Sequence, residues 1–170
     1  MPIDAAHLHL LVNHFPVVLS IVGLTSLAVG AVTRRDFYWR AGLQLMVLAA
    51  IAAVVAILTG ESASDEIRQR AFVLRGTIGA HSSAAYAALW ALLIGGAISA
   101  YAWWRARASD VGALPAWLRE LVLIAALVGA ALVGYAAYRG GIIVHDAPVL
   151  QVDRAAGAIA PEGVQAIPQP

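Results

Sequence analysis

His7, His9 and His14 crowd into one short stretch, His7-Leu8-His9-Leu10-Leu11-Val12-Asn13-His14-Phe15-Pro16, which opens directly into an apolar run. A neutral imidazole can ligate haem iron, zinc or copper. Ionisable groups near membrane depth are costly unless paired or bound, so they point to function by default. Two further histidines, His81 and His145, and the carboxylate Glu61 stand where other apolar runs begin or end. The residue types therefore raise the possibility of a metal or porphyrin site built from several helices.

The elements that must position these groups are membrane helices. The chain has 170 residues, of which 61% are hydrophobic and 12% charged, against about 25% charged in an ordinary soluble domain. Mean hydropathy is +0.79. Uncharged runs occupy 15–33, 41–59, 84–104 and 121–138, each close to the ~20 residues that cross ~30 Å of hydrocarbon as an α-helix. The alternating ten-residue segments of a β-barrel are absent. The expected fold is an all-α, four-helix membrane bundle over 1–147, with helices near 5–33, 39–60, 77–105 and 115–139. A Pro/Ala-rich tail at 148–170 follows, with no periodicity that could bury a core. Alone such a tail is expected to be disordered; held in place, it would act as a strap on a neighbouring subunit.

The absence of cysteine excludes disulfides, thiolate metal sites and c-type haem attachment. A net charge of +1 indicates no nucleic-acid partner. No basic segment precedes the first apolar run, so helix 1 is expected to remain rather than be cleaved as a signal peptide. Arg34, Arg35, Arg40, Arg105, Arg107 and Arg119 fall on one side of the membrane, and the other five arginines on the opposite side. The loops holding the six are shorter and hug the spans, so they are expected in the cytoplasm of a bacterial inner membrane, with both termini outside. Phe37, Tyr38 and Trp39, with Tyr101, Trp103 and Trp104, make an aromatic belt at that inner side. Pro115 suits the start of helix 4, and Gly140-Gly141 is expected to break its end. A short amphipathic helix is expected around 64–73.

This topology brings His7, His9, His14, Glu61, His81 and His145 to the outer pole. His14 lies 20 residues before Arg34, about 30 Å along a helix; similar counts place His9, Glu61 and His81 in nearly the same layer. At about 100° per residue, His7 and His14 share a face and His9 points almost opposite. Val18, Ile21, Thr25 and Ala28 continue the face of His14; Pro16, Gly23 and Gly30 continue that of His9. Below His81 the face reads Ala85, Ala88, Leu92, Gly95, Ser99. Small residues suit close helix packing. They also leave room for a porphyrin whose iron takes one imidazole from each of two helices. The expected site is thus a b-type haem between helices 1 and 3, with His14 and His81 as axial ligands and His9 the substitute for His14 if helix 1 is rotated. Gly95 and Ala88 would form its wall, and Asn13, Glu61, Ser82 and Ser83 are candidate partners for the imidazoles. Pro16 removes a hydrogen bond to the Val12 carbonyl and should kink helix 1, with Asn13 near the freed groups.

Three further segments fit a known pattern. HLHLLVNHFPV at 7–17, TGESAS at 59–64, His81 and RGGIIVHD at 139–146 resemble a bacterial family of small four-helix membrane proteins, largely of unknown function. The likeness covers most of residues 6–147. In that family a Glu follows the helix-3 histidine, where this chain has Ser82. The resemblance implies His14, Glu61, His81 and His145 as candidates, and a b-type-haem or respiratory-chain role.

Three functions follow as expectations. One is a haem-bearing or quinone-adjacent subunit of a respiratory or photosynthetic complex. Another is a non-catalytic subunit that stabilises a larger membrane assembly through its helices and tail. The last is a Cu or Zn site from His7, His9 and His145, for which the lack of Cys disfavours soft Cu(I). No nucleophile–base pair, phosphate loop or paired carboxylates lie within a span, so an enzyme is not expected. Four helices with no charge at mid-membrane offer no transport pathway.

Overall fold

Four long apolar helices pack side by side in the computed structural model, which describes residues 5–68 and 75–145. In chain order the helices are α1 (Ala5–Val12), α2 (His14–Thr33), α3 (Asp36–Arg68), α4 (Arg75–Arg105) and α5 (Ala116–His145). Two short 3-10 turns, Ala106–Ala108 and Val111–Ala113, join α4 to α5. No strand occurs among the described residues. The first span is α1 and α2 together, and α3, α4 and α5 supply the other three. Each span packs against its chain neighbours, and α5 returns against α2 to close the ring. The expected all-α four-helix bundle is what the chain forms. Residues 148–170 and 69–73 lie outside the described residues, so of the short helix expected around 64–73 only 64–68 are described, as the end of α3.

Three boundaries differ from expectation: α3 runs on to Arg68 instead of ending near 60, and the other two differ for a local reason. The first span is interrupted at Asn13, one turn before Pro16, because proline cannot donate to the Val12 carbonyl. Beside this gap the Oδ1 of Asn13 is itself buried without a hydrogen-bond partner. At the other end, α5 runs straight through Gly140-Gly141 to His145. Gly140 is there for packing, since a Cβ on it would lie 3.1 Å from Cε1 of His81.

The core is apolar throughout its depth. Leu27, Leu43, Met46, Leu92 and Val122 are fully buried, and Ser20 and Ser99 are the only buried polar residues among those described. Ser20 is satisfied locally, donating to the Val17 carbonyl at 3.0 Å. Outward, Val32, Ile51, Leu58, Trp90, Ile94, Ile124 and Leu127 stay exposed, as suits helices solvated by acyl chains rather than water.

The pole away from the histidines is tied together across two loops. Both oxygens of Asp36 accept from the Val111 N–H, at 3.1 and 2.9 Å. Arg40 donates to Asp36 at 3.5 Å and to the Ser109 carbonyl at 2.7 Å. Beside this clasp, α2 ends on Arg34 in the left-handed region, φ 57° and ψ 27°. No other non-glycine among the described residues has a positive φ. An L-residue there costs roughly 1–2 kcal/mol, and this helix-ending position usually falls to glycine. Arg34→Gly should therefore raise stability by about 0.5–1 kcal/mol after glycine's greater unfolded-state entropy, read as a higher unfolding midpoint of the purified protein in detergent.

Candidate functional site

The histidine pole holds a cavity of about 400 Å³ between the first three spans, within the roughly 300–1,000 Å³ typical of small-ligand sites. Its polar lining is His9, Glu61, Ser64, His81, Ser82 and Tyr86; Ala56, Ile57, Ile78 and Ala85 supply apolar wall. His9 comes from the first span and His81 from the third, so two helices that face each other across the ring deliver imidazoles to one space.

Each ring is held by a hydrogen bond at Nδ1, which for His81 decides the tautomer. Nδ1 of His81 lies 3.0 Å from the Ala136 carbonyl on α5. A carbonyl can only accept, so Nδ1 carries the proton and the Nε2 lone pair is left available. Nδ1 of His9 lies 3.2 Å from Oγ1 of Thr59. That hydroxyl also lies 3.0 and 3.1 Å from the carbonyls of Val55 and Ala56; when its proton goes to one of these it accepts from His9 Nδ1–H, and the lone pair is then on Nε2. Glycines set both rings in place: a Cβ on Gly60 would lie 2.9 Å from Cε1 of His9, and Gly140 does the same service for His81. Tyr86 completes the polar lining by donating its hydroxyl proton to Oε1 of Glu61.

The other sequence candidates lie elsewhere. His14 is exposed and donates from Nδ1 to the Leu10 carbonyl of its own chain segment at 2.9 Å. It does not line the cavity; His9, the alternative, does. His7 is exposed on the same outward face. His145 ends α5, and its side chain is outside what is described. Ala88 is buried in the core below the cavity, and a Cβ on Gly95 would make ordinary contact with Ala125, 3.6 Å from its Cβ. Both pack helices and neither lines the cavity. Among the described residues no three metal-ligating side chains converge. The partners of the imidazoles are Thr59 and Ala136 rather than Asn13, Glu61, Ser82 or Ser83; Ser83 donates to Gly79 instead.

Tyr86, Thr59, Gly60 and Gly140 were missed in the sequence. Tyr86 shares a helical face with Ser82, four residues earlier, which places it above Glu61 once α3 and α4 are known to be adjacent. A backbone carbonyl such as Ala136 leaves no sequence signal.

The model of one family, described as "Predicted membrane protein (DUF2231)", matches residues 5–152. The chain belongs to this DUF2231 family. Its match spans all four membrane helices and both cavity imidazoles of this DUF2231 protein. No curated protein and no solved structure matches the chain.

Proposed function

We propose that this multi-pass membrane protein is an electron-transfer-associated subunit of a bacterial inner-membrane complex, binding a b-type haem in the cavity at its histidine pole. His9 and His81 would be the iron ligands, and that pole would face the periplasm. One observation carries the reading: imidazoles from two separate spans line a single cavity, each with Nδ1 held by a hydrogen bond. Axial histidines of a b-type site need that arrangement, since the outer hydrogen bond fixes the tautomer and raises ligand basicity. The donor set fits, and Ala56, Ile57, Ile78 and Ala85 supply apolar wall around it. Bound there, a haem would supply one-electron chemistry, while the chain's own residues position it and hold the imidazole rings in place.

The Tyr86–Glu61 hydrogen bond supports a second reading in the same cavity, a quinone head group. In its reduced, quinol form such a ring donates hydroxyl protons, which Nε2 of His81 and the Glu61 carboxylate can accept.

The absorption spectrum of purified protein, reduced and oxidised, tests both. A Soret band with sharpened bands on reduction, and haem released into pyridine, is the expected result. A featureless visible spectrum eliminates haem. Quinone displaced from such colourless protein by a ring analogue would support the second reading. Neither signal would leave a structural accessory subunit that holds larger neighbours together.

A further inference from the structure

At the opposite pole a second cavity, of about 330 Å³, opens where the end of α2, the start of α3 and the first two turns of α5 meet. We propose that it binds the phosphate of an anionic phospholipid, with Arg34 and Arg119 as its cationic contacts. Four observations converge on that assignment.

Both arginines line the cavity, and neither is ion-paired among the described residues. Nε of Arg119 is buried with no hydrogen-bond partner. A guanidinium N–H in that state is a donor waiting for an acceptor. Arg34 occupies the left-handed position at the end of α2, where glycine would relieve the backbone, and this conformation carries its side chain into the cavity wall. Of the carboxylates nearby, Asp36 is consumed by the Val111 N–H and by Arg40, and Glu120 is exposed. Both carboxylates line the cavity beside the arginines, so with Asp36 engaged elsewhere Glu120 is the one left to compete with a phosphate for the two guanidiniums.

The remaining walls select a lipid. Ala116 contributes the first turn of α5, where the Leu118 and Arg119 amides are taken by the Pro115 carbonyl and the helix dipole favours an anion. Below the arginines, Gly30, Ala31 and Leu123 lead toward the apolar body of the bundle. Exposed Phe37, Trp103, Trp104 and Trp117 ring this pole, which sets it at headgroup depth. A phosphodiester at the arginines with its glycerol and acyl chains against the small residues satisfies both halves of the cavity.

Native mass spectrometry of the full-length protein, loaded with dioleoyl phosphatidylglycerol or dioleoyl phosphatidylcholine, tests the proposal. Wild type should retain phosphatidylglycerol in preference. Arg34→Gly and Arg119→Gln should each lower that preference about five-fold, with Arg35→Gln unchanged. Arg34→Gly is expected to fold at least as well as wild type, so it decides the matter if Arg119→Gln does not fold. Unaltered preference in Arg34→Gly overturns the proposal. Displacement of phosphatidylglycerol by inorganic phosphate at equal concentration also overturns it, identifying a free-phosphate site instead.

Discussion

If the cavity holds haem as proposed, alanine at His81 should lower the haem content of the purified protein at least about ten-fold, the lower bound for losing even a ligand's outer partner. His9→Ala should do the same, whereas His14→Ala should keep the full complement and an unshifted spectrum. The contrast follows from placement. His14 turns outward and hydrogen-bonds its own chain segment, while His9 and His81 share the cavity. Two milder variants probe the outer contacts. Thr59→Val removes the hydrogen-bond partner of His9 Nδ1, and loss of such a partner costs about 10–100-fold in affinity. Gly140→Ala brings a methyl to 3.1 Å from the His81 ring, which must then tilt against its hydrogen bond to Ala136. Haem content in the five proteins, by pyridine extraction, checks the series. If His14→Ala loses haem and His9→Ala does not, the assignment of ligands fails.

That series also shows how much of the site could be read beforehand. The angular count on helix 1 was sound even across the break at Asn13: His7 and His14 do share a face, and His9 does oppose them. What the count cannot supply is which face looks inward. The signal was present, because Pro16, Gly23 and Gly30 continue the face of His9 at seven-residue spacing, and all three are buried. Val18, Ile21, Thr25 and Ala28, which continue the face of His14, are exposed. In a membrane both faces are apolar, so hydropathy is silent about direction. Residue size is the better guide, since small residues let backbones approach. The four spans themselves were legible because runs without charge of that length have no other stable solution in lipid. The Arg34 conformation was not, since a left-handed arginine has no distinguishing neighbour in sequence.

The same size rule produces the largest expected effect on stability. Gly42 sits at a close approach of α2 and α3. A Cβ built on it lies 2.6 Å from Cγ of Leu27 and 2.9 Å from the carbonyl oxygen of Gly23. The leucine could in principle turn aside, but the second atom is backbone, and moving it displaces the whole first span. Overpacking a tight core by single methylenes costs about 1–3 kcal/mol, and helix propensity returns at most about 1 kcal/mol for glycine to alanine. Gly42→Ala should therefore lower the unfolding midpoint in detergent, and Gly42→Leu should prevent accumulation of folded protein. Gly134 on α5 provides the internal comparison. It is exposed, nothing lies within 4 Å of its added Cβ, and only the propensity gain applies, so Gly134→Ala should leave the midpoint unchanged or raise it. Equal midpoints for the two alanine variants would mean that the closeness of α2 and α3 contributes nothing. The first span would then be free to rotate, and the inward placement of His9, which depends on the same buried stripe of Pro16, Gly23 and Gly30, would lose its physical basis.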